Sequence, residues 1–126
     1  MEKEFPVRSL FLCFVAILLL ASSSFAASVI PEVPAKGMVT MVDLGAKSCI
    51  PCKMMMPVMD AVEKEYSGKA AIIFIDVWEN PDQSKKYSLR TIPTQIFYSK
   101  DGKEVYRHEG FFDQKSISDI LDKLLK

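Results

Sequence analysis

Cys49-Ile50-Pro51-Cys52 is the stretch whose reading decides the fold, with Lys53-Met54-Met55-Met56-Pro57 directly behind it and Met38 to Ala46 (MVTMVDLGA) in front. The front segment is short, apolar and partly β-branched, which reads as a buried strand ending near Gly45. Behind the cysteines the period turns helical: Met55, Val58, Met59, Val62 and Tyr66 recur at three- and four-residue steps. Cys49 therefore falls where a strand ends and a helix begins. Helix N-termini carry unpaired N–H groups and partial positive charge, so a thiolate at Cys49 is stabilised and its pKa falls. Lys47 and Lys53 add positive charge nearby. Cys52 lies about one helical turn deeper, within reach for a disulfide. The pair is asymmetric, with Cys49 as the exposed attacker and Cys52 as the shielded resolver that breaks a mixed disulfide. Pro51 fixes φ and stiffens the turn.

Working outward, the N-terminal stretch differs from the rest. Met1 to Arg8 is short and charged, Ser9 to Ala21 is almost continuously apolar, and Ser22 to Ala27 holds small residues at a cleavage-like spacing. That is the layout of a secretory signal peptide over residues 1–27, cut after Ala26 or Ala27. An uncleaved membrane anchor is the competing reading, because no charge appears from Ser9 to Ile30. Either way the globular part is exported, with a periplasmic or other extracytoplasmic address. Once Cys13 is set aside with the leader, Cys49 and Cys52 are the remaining cysteines. The tiny loop they close constrains an unfolded chain little, so they do not form a structural framework. An exported dithiol with no other cysteine points to exchange chemistry.

The 126 residues suit one domain beyond the leader, residues 38–126, joined through a linker or loose arm at 28–37 that is rich in proline and glycine. Basic and acidic residues balance at 16 each, which excludes the clustered positive excess of a nucleic-acid surface. The helix behind the dithiol runs from Ile50 to Tyr66, with a kink expected at Pro57 and Gly68 as its left-handed cap. Ala70 to Val77 (AAIIFIDV) reads as a central parallel strand, apolar on both faces. Asn80-Pro81-Asp82-Gln83 is a helix start, with Asn80 as N-cap and Gln83 closing a capping box, and that helix ends near Leu89. Thr94 to Ser99, an Asp101-Gly102 turn and Glu104 to Glu109 form a hairpin. Asp113 caps a last helix whose apolar face is Ile117, Ile120, Leu121, Leu124 and Leu125. The order β-α-β-α-β-β-α predicts a four-stranded mixed sheet with helices on both faces, a three-layer α/β/α sandwich.

Asp43 is a carboxylate in an otherwise uncharged apolar strand. It is either a strand-end aspartate facing water or a buried acid that takes the proton from Cys52 during resolution, and its uncharged surroundings favour the second. Cys-x-x-Cys is also half of a zinc site, but zinc wants four ligands. The one histidine, His108, falls far away on an edge strand and is expected to face solvent, so no metal is expected. Trp78, the sole tryptophan, reads as a packing residue.

The segment Asp43 to Lys53 with Pro57 resembles the active-site segment of the thioredoxin family. Tyr87-Ser88-Leu89-Arg90-Thr91-Ile92-Pro93-Thr94 is similar to the family segment that ends in its cis-proline, and Asp101-Gly102 and Gly110 fall at matching places. The resemblance covers about Met38 to Lys126. It implies that Pro93 is cis and packs beside the dithiol. It further implies that Ile92 offers its backbone to an extended substrate peptide, that Gly110 lets the peptide approach, and that Ile50 and Pro51 belong to the same substrate surface. This chain departs from the family at several places. Ser48 replaces the tryptophan before the first cysteine, Gly45 an upstream aromatic and Ile50 the intervening glycine. Phe74 stands where the family has a lysine beside the buried aspartate. The usual first strand and helix are missing or reduced to Ser28 to Gly37.

The expectation is an extracytoplasmic thiol:disulfide oxidoreductase, a reductase by resemblance, monomeric and without a cofactor. Its substrates would be protein disulfides or dithiols, and a membrane thiol-electron transporter would supply its electrons. A thiol oxidase or disulfide isomerase is the alternative within the class. A thioredoxin-fold binding module without turnover is the alternative of another class.

Overall fold

The computed structural model describes residues 29–126, so the leader reading at 1–27 lies outside the described residues. The elements are β1 (Val39–Gly45), α1 (Ile50–Glu65), β2 (Ala70–Asp76), α2 (Pro81–Lys86), β3 (Thr94–Tyr98), β4 (Glu104–Glu109) and α3 (Gln114–Leu124). The strands form one sheet in the order β2-β1-β3-β4. β1 runs parallel to β2 and antiparallel to β3, and β3 runs antiparallel to β4. Among the described residues no helix is long and apolar enough to cross a membrane.

β1 is buried along its whole length, and its alternation divides the core. Val39 and Met41 pack with Met55, Met59 and Val62 of α1 and with Ile117 and Leu121 of α3. Val42 and Leu44 pack on the opposite face with Ile75, Tyr87 and Ile96. Each fully buried side chain of this kind contributes about 1.5–3 kcal/mol, which anchors α1 to β1 far more firmly than helix propensity would. By the same alternation Asp43 and Gly45 belong to the face that α1 covers. α1 runs through Pro57 without stopping, and Gly68 takes φ 74° in the turn that follows.

Four local expectations are corrected. β2 is an edge strand rather than a central one, with Ala71 to Phe74 half-buried. Its apolar run reflects two covered faces, since Ile72 and Phe74 join one core and Ile73 and Ile75 the other. Covering a face does not require pairing both edges. At α2 no capping box forms. Asn80 Nδ2 donates to the Asp76 carbonyl at 2.9 Å, and Gln83 Nε2 donates to Asp82 at 2.8 Å. α2 also stops at Lys86, short of Leu89, and Ser88 takes a left-handed φ of 51°. Finally, the stretch read as a loose arm lies on the sheet. Ile30 and Val33 pack against the Val42–Leu44 face, and the Ala35 N–H donates to Thr40 Oγ1 at 3.0 Å.

At α3 the Asp113 carboxylate accepts from the Ser116 N–H at 3.0 Å, a cap of about 1 kcal/mol. Ile117 and Leu121 are buried, Ile120 and Leu124 half-buried, and Leu125 lies past the helix end, exposed.

Candidate active site

Chain direction places the dithiol. β1 ends at Gly45, and five residues later α1 begins at Ile50, with Cys49 as its N-cap at φ −83° and ψ 126°. The Cys52 N–H donates to Cys49 Sγ at 3.4 Å, so the sulfur takes up one of the helix's otherwise unpaired amides. The two Cα atoms are 5.2 Å apart and the sulfurs are joined in a disulfide. Cys49 is 9% exposed and Cys52 1%. The sense of the asymmetry is as expected, but Cys49 shows only a rim rather than an open face. Ile92 packs over it together with Ala46 and Cys52.

The loop before Cys49 hangs on Asp76, a residue that the sequence reading missed. The Lys47 N–H donates to Asp76 Oδ2 at 2.9 Å. The Trp78 and Glu79 N–H groups donate to Oδ1 at 2.9 and 3.1 Å. Burial pulls the Asp76 carboxyl upward, but the bonds from these three amides outweigh it and hold the group below its ordinary value. The Val77 N–H also donates to the Gly45 carbonyl at 2.9 Å, extending the β1–β2 ladder to the edge of the loop. Lys47 itself is corrected. Its ammonium pairs with Glu79 at 3.0 Å, so its charge is committed there instead of to the dithiol. Trp78 is corrected too. It is 60% exposed, because the turn turns its amide to Asp76 and leaves the side chain in solvent.

Asp43 does not face water: its exposure is 0%. It stands in register between Phe74 on β2 and Gln95 on β3. Gln95 Nε2 donates to Asp43 Oδ1 at 2.8 Å. Burial pushes the Asp43 carboxyl from 3.8 up to about 6, with the Gln95 bond pulling the other way. Two residues along, Gly45 lies against Cys52. Asp43, Gly45 and Cys52 thus follow one another along the α1 face of the sheet. Gln95 is the second residue missed. Its signal was the same as that of Asp43, a polar side chain in an apolar strand (TQIFYS).

On the other side of the dithiol the Ile92–Pro93 bond is cis. The Gly110 N–H donates to the Pro93 carbonyl at 2.8 Å, and Gly110 takes φ 95°. Ile50 is 75% exposed, and Pro51 is exposed beside it. The structure therefore gathers Cys49, Cys52, Ile50, Pro51, Ile92, Pro93 and Gly110 at one end of the sheet, with Asp43 buried behind. His108 lies outside this group. It is half-buried, and its ring stacks on Phe112 at 4.0 Å instead of facing solvent. Among the described residues no three His, Cys, Asp or Glu side chains gather as a metal site.

Comparison with known proteins agrees with this geometry. The Thioredoxin family model matches residues 16–123. The thioredoxins of Staphylococcus aureus strains Mu50 and MW2 are each 42% identical over 87 residues, which is 69% of this chain and 83% of theirs. A crystal structure of chloroplastic thioredoxin z superposes with a TM-score of 0.64 at 30% identity, covering 70% of this chain and 79% of that one. A structure described as a malarial protein shares the fold, with a TM-score of 0.65 at 24% identity over 71% of this chain and 99% of that one. The chain belongs to the thioredoxin family. It is a thiol:disulfide oxidoreductase of that family, whose members act on protein disulfides, and its Cys-x-x-Cys pair, Cys49 and Cys52, stands at disulfide distance.

Proposed function

We propose that this protein is an extracytoplasmic disulfide reductase. The carrying observation is the placement of Cys49 as N-cap of α1, its sulfur already accepting the Cys52 amide and its partner almost wholly buried. In the reduced protein the Cys49 thiolate attacks a substrate disulfide. The substrate S–S bond breaks, one substrate sulfur leaves as a thiolate, and the other stays bound to Cys49. Asp43 takes the proton from the Cys52 thiol, and the new thiolate attacks Cys49 Sγ. The Cys49–Cys52 bond forms, the second substrate thiolate leaves, and two electrons have passed to the substrate. With its carboxyl near 6, Asp43 is ionised at neutral pH yet holds a proton readily.

The ledge at Ile92-Pro93 supports short backbone pairing with an extended substrate peptide, and Gly110 leaves room beside it. Ile50 and Pro51 complete the contact surface. The export address rests on the apolar and small-residue pattern of residues 9–27. Outside the cytoplasm no soluble nicotinamide pool recharges the dithiol, so the electron donor is a membrane thiol transporter, and the protein acts as a monomer.

The test is trapping with Cys52→Ser, which accumulates mixed disulfides through Cys49 and names the substrates, whereas Cys49→Ser accumulates none. The reduction potential fixes direction. A value near about −270 mV, that of thioredoxin itself, supports the reductase, and one near about −120 mV would make the protein an oxidant.

A further inference from the structure

We propose that Gln95 is a positioning residue for the exchange: it holds Asp43 by Oδ1 and so leaves Oδ2 as the oxygen that takes up the Cys52 proton. The proposal rests on the reading of Asp43 as proton acceptor. The strand register sets Gln95 directly across from Asp43, both are 0% exposed, and the Nε2–Oδ1 bond is 2.8 Å. Asp43 Oδ2 and Gln95 Oε1 are both buried without a hydrogen-bond partner. An oxygen that already accepts a buried N–H is stabilised as an acceptor, so an arriving proton goes to the other oxygen. An orphaned buried acceptor is costly, and protonation at Oδ2 turns it into a donor.

The chemistry of the donor matters. The groups set beside Asp43 are Phe74 from β2 and the Gln95 amide from β3, and Cys52 of α1 stands against Gly45 two residues along the same face. Behind Gln95, in register on β4, is His108. A cation at position 74 would hold the carboxylate ionised well below neutrality. The phenyl ring of Phe74 offers no such charge. Gln95 supplies a neutral donor instead, strong enough to orient the carboxylate and too weak to stop it accepting a proton. The step balances within the site. The Cys52 S–H bond breaks as the Oδ2–H bond forms, and the Cys52 sulfur then displaces the substrate sulfur from Cys49. When the disulfide is reduced again, Asp43 returns the proton to Cys52.

The experiment uses Gln95→Met, close in shape but without a donor, with Gln95→Leu as a second variant and thermal unfolding to establish that each folds. Asp43 is followed by carbon NMR of its carboxyl group across pH, with Asp43→Asn assigning the signal. In parallel, the pH profile of insulin-disulfide reduction is recorded for each protein. Loss of the amide is expected to move the Asp43 titration and the inflection of the rate profile upward by about one pH unit. In an Asp43→Asn background, Gln95→Met is expected to change nothing. A Gln95→Met titration that stays in place, or an equal slowing in the Asp43→Asn background, overturns the positioning role. A rate profile unchanged by Asp43→Asn itself overturns the proton-acceptor reading beneath it. A wild-type protein that leaves insulin disulfides intact overturns the reductase reading and this proposal with it.

Discussion

Gly45 and Cys52 are in direct contact: a Cβ on Gly45 would stand 3.3 Å from both Cβ and Sγ of Cys52 and 3.3 Å from Cε2 of Phe74. A methyl there would press on both side chains more tightly than ordinary van der Waals contact, so Cys52 and Phe74 would have to shift by a few tenths of an ångström, although the backbone itself would accept one. Gly45→Ala is therefore a pure crowding change, and overpacking of this size costs about 1–3 kcal/mol. The variant is expected to unfold at lower denaturant concentration. A combined Gly45→Ala and Phe74→Leu protein is expected to recover part of the loss, as read by urea titration of the oxidised forms.

Asp43 makes stability depend on pH. Its carboxyl is raised from 3.8 to about 6 in the folded protein, so the folded state binds the proton more tightly than the unfolded chain does. Stability is thus lost as pH rises through that window, and the full penalty stands above it. Two units correspond to at most about 3 kcal/mol. Asp43→Asn is expected to be more stable than wild type by up to that amount at pH 7.5 and to match it near pH 3.5. Guanidinium unfolding at the two pH values checks this, and equal differences at both would refute it.

Asp76 braces the loop before Cys49 through three amides. Asp76→Ala leaves them unpaired, at about 1–3 kcal/mol for each that water does not reach. Its folded-state pKa is depressed, so the contribution is present above the unfolded pKa and is lost as pH falls through the lower folded value. The gap in melting temperature between wild type and Asp76→Ala is expected to be wide at pH 7 and to narrow in strong acid. Hydrogen exchange at Lys47, Trp78 and Glu79 is expected to accelerate in the variant.

Gly110 combines φ 95° with an N–H bonded to the Pro93 carbonyl. A Cβ there would meet nothing within 4 Å, so any penalty of Gly110→Ala is conformational, about 1–2 kcal/mol. Stability is expected to fall by that much. Reduction of a protein disulfide is expected to slow more than reduction of a small aromatic disulfide, because the strain falls beside the substrate ledge. Equal slowing with both would place the effect elsewhere.

Trp78, the sole tryptophan, is 60% exposed on the turn after β2. Its fluorescence is expected at the wavelength of a solvated indole and is expected to shift little on unfolding. A blue-shifted native emission would contradict that placement.

Most of the fold was legible because its signals are local. The short apolar, partly β-branched run of β1, the helical period from Met55 to Tyr66, the Asp101-Gly102 turn and the Asp113 cap each depend on neighbours a few residues away. Misreadings arose where partners lie far apart in sequence. The apolar run of β2 reported its covered faces but said nothing of which edge was paired. Asn80 and Gln83 had the residue types for a capping box, yet the Asp76 carbonyl and Asp82 claimed their side chains. The charge of Lys47 could be counted from sequence, but its commitment to Glu79 could not.

For the dithiol, sequence alone determined its chemistry: two cysteines at the junction of a strand and a helix, with an acid six residues upstream. Tertiary structure decided its surroundings. It brought Ile92 over Cys49, set Gly45 against Cys52, hung the loop on Asp76 and placed Gln95 on Asp43. The physical reason is that spacing along a chain fixes what one helix or strand presents. Which side chains meet across a sheet depends on register, and register is settled only when separate strands pair and bury their faces together.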